Sequence, residues 1–483
     1  MSKVRTRFAP SPTGFMHVGN LRTALYEYLV AKSQGGTFVL RIEDTDQERY
    51  VEGAVDVIYN TLKTAGLVHD EGPDVGGDYG PYVQSERKDM YLPYAEQLIK
   101  EGKAYRCFCT KERLEKLQKE TVGGGYDRHC RDLSDEEIQK NLDAGVPYVI
   151  RQKMPNEGST SYYDEVYGRV SIDNVELRDQ ILIKADGYPT YNFCHVVDDH
   201  LMGITHVVRG NEYLTSTPKY CLLYDAFGWE RPTYVHLPLL MGKDADGNVS
   251  KLTKRHGAVS LQDLVNDGYL PEAIVNYIAL LGWCPKDTNQ EFFTMDELKK
   301  SFSLEGLSKS PAVFDYEKLK WFNSEYIKKM PDEDYNKIIL PILENLCPEY
   351  INIEKLAVLL HGRIAVFSEV KEKIEFILSR LDMDSSLYIN KKNKTTLELC
   401  SQILNESLPL LENLENWDND SLFALLKEYS ASSGIKAGAV MWAVRIAVAR
   451  QSITPGGATE LMEVFGKNES IERIKLAVSE FNA

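Results

Sequence analysis

The sequence has 483 residues, of which 43% are hydrophobic and 27% charged. These are values of a folded chain, and at about 150 residues per domain the length predicts roughly three domains. The net charge of −16 argues against a generally basic nucleic-acid-binding surface, although folding can gather a few basic side chains along one groove. The sequence lacks an apolar run of the ~18 residues that a membrane span needs and lacks the apolar core of a signal peptide. We therefore expect a cytoplasmic chain without a membrane partner, whose eight cysteines stay reduced.

The first 42 residues have the pattern of a strand, a helix and a second strand. A short strand-like run ends at Ala9, and the prolines and glycine that follow cannot continue it. From about His17, apolar residues recur at helical spacing as far as the glycines at 35 and 36, and residues 37–42 have the composition of a buried strand. Such a βαβ unit implies a parallel sheet with a ligand site at the carboxyl ends of its strands. The first loop is therefore where we expect chemistry.

After the first βαβ unit, the sequence contains a segment that interrupts the βα pattern and, later, a helical C-terminal part. Residues from roughly 100 to 185 contain a Lys/Glu-rich helical stretch, Thr110–Glu120, a glycine break and short strand-like runs, which we interpret as an inserted domain. The βα pattern resumes near Tyr188. Beyond Leu261 the apolar spacing is helical almost to the end, including a run over Ala357–Leu378. An all-α C-terminal domain follows from this spacing.

Two short segments carry side chains suited to binding phosphates. His17 and Asn20 lie where the first loop becomes a helix, so we expect backbone N–H groups, the helix dipole and an imidazole to converge there, with Gly19 leaving room for a large ligand. The second segment is a basic loop with Lys251 and Lys254, and lysine is a mobile charge with three donors. Each segment alone is more often an ordinary turn, so neither decides a function.

Other nucleotide-binding patterns are missing from the sequence. Residues 242–247 have the Gly-x4-Gly spacing of a P-loop, but Asn248 and Val249 follow where Lys-Ser/Thr is required. The first helix does not open with the Gly-x-Gly-x-x-Gly fingerprint of a dinucleotide site. Kinase, P-loop ATPase and dehydrogenase interpretations therefore lose their main support.

Taken together, several segments resemble those of one enzyme family. The residues at 7–14 with 17–20, those at 41–46, and Lys-Leu-Thr-Lys-Arg at 251–255 are similar to bacterial-type glutamyl-tRNA synthetases, which are class I aminoacyl-tRNA synthetases. The resemblance covers essentially the whole chain. Asn20 stands where the idealised first signature has a second histidine, and the second signature ideally reads Lys-Met-Ser-Lys-Ser. Both departures keep donors and charge, so we expect activity to survive.

The resemblance implies an α/β fold with additions. It consists of a Rossmann-type parallel-sheet catalytic domain with an inserted acceptor-end-binding domain, followed by an all-α C-terminal anticodon-binding domain. The expected segments are the first catalytic half at 1–100, the insertion at 101–187, the second catalytic half at 188–255, a stem-contact domain at 256–330 and the anticodon-binding domain at 331–483.

The resemblance also implies a reaction and partners. L-Glutamate is activated with ATP and Mg²⁺ to glutamyl-adenylate and pyrophosphate, and glutamate is then transferred to the 3′-terminal adenosine of tRNA(Glu). A form that also charges tRNA(Gln) stays open, because that choice depends on one or two anticodon contacts. Arg363 is the expected anticodon reader, since arginine recognises bases by paired hydrogen bonds and stacking. A monomer without a DNA partner is the family expectation.

Two other classes of protein fit the sequence less well. A small-molecule nucleotidylyltransferase also uses a His-x-Gly helix turn, but it needs no long helical end. A non-catalytic tRNA-binding relative would normally have lost His17, Lys254 or the amino-acid pocket.

The amino-acid pocket can be checked against the chemistry of glutamate. Two carboxylates and one ammonium group call for two cationic donors and one carboxylate, which Arg7, Arg209 and Glu43 provide. We assign Arg7 to the side-chain carboxylate and Arg209 to the α-carboxylate, with the reverse left open. The resemblance adds supporting glutamate contacts at Ala9, Ser11, Tyr191 and His195. It assigns catalysis to His17, Asn20, Lys251 and Lys254. It implies ATP contacts at the same four residues and at Pro10, Gly14, Gly19, Glu212 and Leu240.

The insertion contains cysteines similar to a zinc knuckle that some glutamyl enzymes carry. Cys107, Cys109 and Cys130 would be three ligands, and Asp132 or His129 the fourth. Because Cys-x-Cys is less specific than Cys-x-x-Cys, a structural Zn²⁺ and plain thiols both remain possible here.

Overall fold

The structure is a computed structural model that describes residues 3–46, 49–120, 126–244, 246–253, 260–286, 288–379, 382 and 384–481. It has two compact units. Unit 1 comprises Met1–Leu264 and Ile274–Asp315, and unit 2 comprises Val265–Ala273 and Tyr316–Ala483. Unit 1 is mixed α/β and unit 2 is helical, which confirms the predicted fold class. Lys254 lies outside the described residues.

Short strands alternate with helices through most of the first unit. The strands are β1 (Arg5–Phe8), β2 (Thr37–Leu40), β3 (Ala104–Cys107), β4 (Val149–Gln152), β5 (Ser159–Asp164), β6 (Gly168–Asp173), β7 (Ile181–Ile183), β8 (His206–Gly210), β9 (Thr233–Leu237), β10 (Leu240–Lys243), β11 (Val249–Lys251) and β12 (Ala312–Phe314). The helices up to residue 301 are α1 (Val18–Ser33), α2 (Ala54–Thr64), α3 (Lys88–Lys100), α4 (Lys111–Glu120), α5 (Asp135–Asp143), α6 (Tyr191–Leu201), α7 (Thr217–Phe227), α8 (Leu261–Asn266), α9 (Pro271–Ala279) and α10 (Met295–Ser301).

The predicted βαβ unit is present at the start of the chain. β1 and β2 pair in parallel with Arg7 opposite Val39, and α1 connects them. β8 and β9 form a second parallel pair. The N–H of Thr205, just before β8, donates to the carbonyl oxygen of Arg5 at 2.9 Å. β8 therefore begins beside the first strand, although it lies some 200 residues later in the sequence.

The predicted insertion contributes to two sheets. β3, β4 and β7 form an antiparallel sheet, and the Lys/Glu-rich stretch forms α4 as predicted. β5 and β6 form an antiparallel hairpin, and β5 adds to the edge of β9 with Asp164 opposite Tyr234. The hairpin therefore extends the β8–β9 sheet.

Another small sheet carries residues of the second signature. β10 pairs with β11 in antiparallel orientation and with β12 in parallel. Leu240 begins β10 and is buried, whereas Lys251 ends β11 and is exposed.

Unit 2 is built from helices around one apolar core. They are α11 (Tyr316–Lys329), α12 (Asp332–Leu346), α13 (Ile353–Leu360), α14 (Val370–Lys373), α15 (Glu375–Leu378), α16 (Leu397–Glu412), α17 (Asn419–Ser433), α18 (Ala437–Ala449) and α19 (Ala458–Phe481), which is kinked at Gly466. In the described part of the chain, none of the helices is long and apolar enough to cross a bilayer.

The helical run predicted over Ala357–Leu378 is not continuous. α13 ends at Leu360, and Gly362 has a φ of +79°, a left-handed conformation that glycine adopts readily. The chain then forms a short 3-10 turn, Phe367–Glu369, before α14 and α15. Apolar side chains such as Ile364 are buried in the irregular part too, which explains why apolar spacing alone predicted one helix.

Candidate active site

A cavity of about 280 Å³ opens at the carboxyl ends of β1 and β8. Most of the residues that the sequence assigns to glutamate, and some of those assigned to ATP, meet there. They are Arg7, Ala9, Pro10, Ser11, Asn20, Glu43, Tyr191, Arg209 and Glu212. Thr13, Thr23, Glu27 and Tyr213 also line the cavity. Gly14, His17, Gly19, His195, Leu240 and Lys251 are not among its lining residues.

Arg7 is buried and paired with acidic side chains. Its Nε donates to Asp199 Oδ1 at 3.0 Å and its Nη1 to Glu27 Oε1 at 3.2 Å. Burial works to lower the pKa of Arg7, but the charges of Asp199 and Glu27 outweigh it, and the pKa is raised. Arg7 therefore stays charged, with much of its charge balanced by the protein.

Arg209 has mainly neutral surroundings. Nε donates to His236 Nε2 at 3.2 Å, and Nη2 donates to Thr217 Oγ1 at 2.7 Å. The guanidinium carbon lies 4.9 Å from the ring centre of Tyr213 and 4.8 Å from that of Tyr220, within cation–π range. Nη1 is buried without a hydrogen-bond partner among the described residues. An unmatched donor at the cavity wall suits a ligand carboxylate.

Glu43 is one of three glutamates that line the cavity, with Glu27 and Glu212. Its Oε1 accepts hydrogen bonds from Arg41 Nη2 at 3.0 Å and, more weakly, from Gln84 Nε2 at 3.4 Å. Burial raises the pKa of Glu43 against the opposing effect of Arg41. A substrate ammonium group would favour the carboxylate form of Glu43.

Tyr191 and His195 form a stacked pair on α6. Their ring centres are 4.7 Å apart, and His195 Nδ1 lies 2.7 Å from the carbonyl oxygen of Tyr191, so Nδ1 donates. Burial lowers the pKa of His195 to about 3, which keeps the ring neutral. Tyr191 faces the cavity, and His195 supports it from behind.

His17 is the N-cap of α1. Its Nδ1 accepts a hydrogen bond from the N–H of Gly19 at 3.1 Å, so in the neutral ring the proton is on Nε2. The N–H groups of Asn20 and Leu21 donate to the His17 carbonyl at 2.9 and 3.0 Å. The sequence predicted that N–H groups of this turn would face an anion. The structure instead pairs these three, because the cap and the first helical turn use them.

Residues in or near the two signature segments make backbone contacts within unit 1. His17 forms an antiparallel β-bridge with Ser260, which follows the second signature by a few residues. The N–H of Leu252 donates to the carbonyl of Leu240 at 3.1 Å. Leu252, within the second signature, is thus held against the first residue of β10.

The cysteines of the insertion form a compact cluster. The sulfur atoms of Cys107, Cys109 and Cys130 all lie within 4.8 Å of one another, and those of Cys109 and Cys130 are 3.5 Å apart. Neither Asp132 nor His129 belongs to this cluster.

Arg363 lies just after α13, in unit 2. Its guanidinium Nη1 donates to the carbonyl of Leu359 at 2.6 Å, and the residue is exposed. Its side chain therefore covers the end of α13 and is accessible from solvent.

Comparisons with known proteins agree with this geometry. Residues 3–321 match the family described as tRNA synthetases class I (E and Q), catalytic domain, and residues 316–478 match the anticodon binding domain family. The chain is 55% identical to a glutamate–tRNA ligase of Clostridium novyi (strain NT) over 99% of this chain and 98% of that protein. It is 52% identical to the glutamate–tRNA ligase of Clostridium tetani (strain Massachusetts / E88), with the same coverage.

A solved structure has the same fold over its full length. The crystal structure of a glutamate tRNA ligase from Elizabethkingia meningosepticum in complex with its amino acid matches with a TM-score of 0.90 and 35% identity, covering 99% of both chains. The chain belongs to the glutamate–tRNA ligase family. Within that family, Arg7, Arg209 and Glu43 are the cavity residues with the charges that glutamate requires.

Several residues of this ligase site were not predicted from the sequence. Glu27 and Asp199 pair with Arg7, and Thr217 and His236 hold Arg209. Asp199 could have been predicted, because two successive acidic residues in a largely apolar helix suggest buried ion-pair partners. Glu27 and His236 gave no such signal in the sequence.

Proposed function

We propose that the protein activates L-glutamate with ATP and transfers it to the 3′-terminal adenosine of tRNA(Glu). The observation that carries the proposal is the cavity where Arg7, Arg209 and Glu43 meet at the carboxyl ends of β1 and β8. The full-length similarity to glutamate–tRNA ligases supports the same reaction.

The amino acid would be held by charge and shape together. Arg7 and Arg209 receive its two carboxylates, Glu43 receives its ammonium group, and Ala9, Ser11 and Tyr191 complete the wall. We assign the side-chain carboxylate to Arg7 and the α-carboxylate to Arg209. His195 acts through Tyr191, on which it stacks.

The phosphates of ATP would lie beside the amino acid, at the start of α1. ATP enters as its magnesium complex, and the α-carboxylate of glutamate attacks the α-phosphate with release of pyrophosphate. Asn20 lines the cavity, and because Nδ1 of His17 caps the helix, a contact of His17 with the phosphates would be made by Nε2. With Lys251 and Lys254 they would stabilise the charge that develops at the phosphates. Pro10, Gly14, Gly19, Glu212 and Leu240 are the proposed remaining contacts.

tRNA recognition is assigned to the insertion and to unit 2. Arg363 is accessible and is proposed to read the anticodon. Charging of tRNA(Glu) alone is the main proposal, and charging of tRNA(Gln) as well is the alternative. The division at residues 100, 187, 255 and 330, a cytoplasmic location and a monomeric state belong to the same proposal, because the family resemblance implies them.

Aminoacylation of purified transcripts tests the function. Labelled glutamate, ATP and Mg²⁺ are supplied with tRNA(Glu) or tRNA(Gln), and Arg209→Lys and Lys254→Ala are compared with Arg231→Lys. Arg231 pairs with Asp225 at the surface, so this control makes the same exchange outside the cavity. We expect the wild type to charge tRNA(Glu). Both site variants should charge it more slowly, and the control variant should charge it as fast as the wild type. If folded wild-type protein charges neither tRNA, the proposal is wrong.

We also propose a structural Zn²⁺ on the cysteine cluster. Zinc–sulfur bonds of about 2.3 Å place tetrahedral ligand sulfurs roughly 3.8 Å apart, which is compatible with the observed cluster. Cys107, Cys109 and Cys130 would hold the ion, with Asp132 or His129 moving in as the fourth ligand.

Metal analysis of the purified protein tests the zinc proposal. We expect about one zinc per chain in the wild type and loss of the ion in Cys130→Ser, because three sulfur ligands are needed. Cys284→Ser, which changes an exposed cysteine outside the cluster, is the matched control. Zinc-free wild-type protein whose three cluster thiols react freely would contradict the site.

A further inference from the structure

A buried aspartate and histidine lie behind Arg209. His236 and Asp164 are both fully buried, and His236 Nδ1 lies 2.6 Å from Asp164 Oδ2. Neither side chain lines the cavity. His236 Nε2 contacts Arg209 at 3.2 Å and Thr217 at 3.1 Å, and of these two residues Arg209 lines the cavity.

Asp164 has a fixed orientation. Its Oδ1 accepts the backbone N–H groups of Val166 and Tyr167 at 3.0 and 2.8 Å, and its Oδ2 accepts the N–H of His236 at 3.0 Å. Three backbone donors hold the carboxylate in place, so its Oδ2 presents a fixed acceptor to the imidazole.

This acceptor decides which ring nitrogen of His236 carries the proton. A carboxylate accepts hydrogen bonds, so Nδ1 carries the proton and Nε2 is left as an acceptor. Nε2 accepts the Nε–H of Arg209 at 3.2 Å. The other tautomer would place two N–H donors against each other.

We propose that His236, oriented by Asp164, is a positioning residue for glutamate: it fixes the guanidinium plane of Arg209 so that Nη1 remains available to a substrate carboxylate. The proposal rests on the proposed activation of glutamate. With Nε held by His236 and Nη2 held by Thr217, the guanidinium cannot rotate to satisfy Nη1 elsewhere. Since Asp164 belongs to β5, the inserted hairpin takes part in amino-acid selection.

The test compares two substitutions of the same histidine. The carboxamide of His236→Asn reaches the position of Nδ1 but not that of Nε2, whereas His236→Gln reaches toward Nε2. ATP–pyrophosphate exchange is measured with tRNA(Glu) present, varying glutamate and ATP separately. His206→Asn is the matched control, because His206 contacts Thr205 outside the cavity.

His236→Asn is expected to raise the KM for glutamate roughly tenfold or more, the effect of one hydrogen bond to a charged group. The KM for ATP should stay within about twofold, a span of less than half a kcal/mol, and His236→Gln should recover most of the loss. Equal effects of Asn and Gln, or equal rises in both KM values, would overturn the proposal. Wild-type protein that shows no glutamate-dependent exchange would instead contradict the proposed function.

A measurement on the wild-type protein tests the proposal even if a variant fails to fold. ¹⁵N-histidine labelling and NMR of the nine histidines report which nitrogen of each ring is protonated, and the signal missing in His236→Gln or His236→Asn assigns His236. Protonation at Nδ1 is expected. Protonation at Nε2 alone would overturn the proposal whatever the kinetics show.

Discussion

Arg7 and Arg209 reach the same cavity from different electrical surroundings. Arg7 contacts the carboxylates of Glu27 and Asp199, whereas Arg209 contacts an imidazole, a hydroxyl group and aromatic rings. Because a buried charge without a counter-ion is costly, Arg209 has more to gain from a bound carboxylate. The surroundings of Arg209 therefore favour binding of an anion in the cavity.

Glu27 lines the cavity and belongs to a buried cluster of ion pairs with more acidic than basic side chains. Three guanidinium groups contact carboxyl groups there, and the residues involved are Arg7, Arg41 and Arg87 with Glu27, Glu43, Asp198 and Asp199. Burial raises the pKa of Glu27 well above its ordinary value of 4.5, although Arg7 opposes the shift. Asp199 behaves oppositely: burial works to raise its pKa, but Arg7 and Arg41 lower it to about 2. The direction of this shift means that Glu27 binds a proton more tightly in the folded protein than in the unfolded chain.

Replacing Glu27 by glutamine tests this protonation. Because the pKa of Glu27 is raised above 4.5 in the native state, the unfolded state loses the proton at a lower pH than the native state does, and Glu27 makes the wild type less stable as pH rises between the two pKa values. We expect the free energy of unfolding of Glu27→Gln, relative to wild type, to increase from pH 5 to 8 by at most about 1.4 kcal/mol per pH unit. Denaturation at several pH values measures it. A difference that stays nearly constant from pH 5 to 8 would show that Glu27 is already ionised in the native state.

At the scale of elements, α1 combines structure and chemistry in one residue. His17 caps the helix with Nδ1, and its other nitrogen is proposed to meet the phosphates of ATP. A histidine cap is unusual, because serine, threonine, aspartate and asparagine are the common N-cap residues. The two roles can therefore be separated by substitution.

His17→Asn should keep the cap and lose the chemistry. Asparagine is among the best N-cap residues, so we expect the unfolding midpoint to stay close to that of wild type, whereas His17→Ala should lose about 1 kcal/mol. Adenylate formation should fall in both variants, because neither carries the imidazole. Parallel thermal melts and exchange assays measure these effects. Full activity in His17→Asn would show that His17 is only a cap.

For the whole molecule, the difficulty is how an acidic chain binds a polyanion. The net charge is −16, so any surface for tRNA must be locally basic. Binding of phosphates by lysine and arginine releases counter-ions and weakens with salt. Contacts inside a buried pocket are screened much less.

The KM for tRNA and the KM for glutamate should therefore respond differently to salt. Between about 50 and about 200 mM KCl we expect the KM for tRNA to rise roughly tenfold or more, with a much smaller change in the KM for glutamate, because Arg7 and Arg209 are buried. Aminoacylation kinetics at several salt concentrations give both values. Parallel changes in the two KM values would contradict a buried glutamate site.

The sequence predicted the fold class and several of the charged residues that line the cavity, but not Glu27. The family resemblance implies Arg7 and Arg209, the chemistry of glutamate agrees with them, and the structure brings both to one cavity. His236 and Glu27 could not be found this way, because their roles arise from contacts between residues 20 or more positions apart. The amides of the first turn were misjudged, since only coordinates show that His17 uses its own side chain as a cap. The break at Gly362 was missed for a related reason, because apolar spacing persists through it.

The hairpin of β5 and β6 has a consequence for protein engineering. It covers the edge of β9 and delivers Asp164 beneath the histidine of that strand. A shortened chain lacking residues 101–187 would therefore leave β9 as an open edge, a known starting point for aggregation. A chimera that borrows the insertion from a distant relative would have to preserve the register of Asp164 with Tyr234 to remain soluble and selective. The predicted border between the inserted and catalytic parts is thus a poor place to cut.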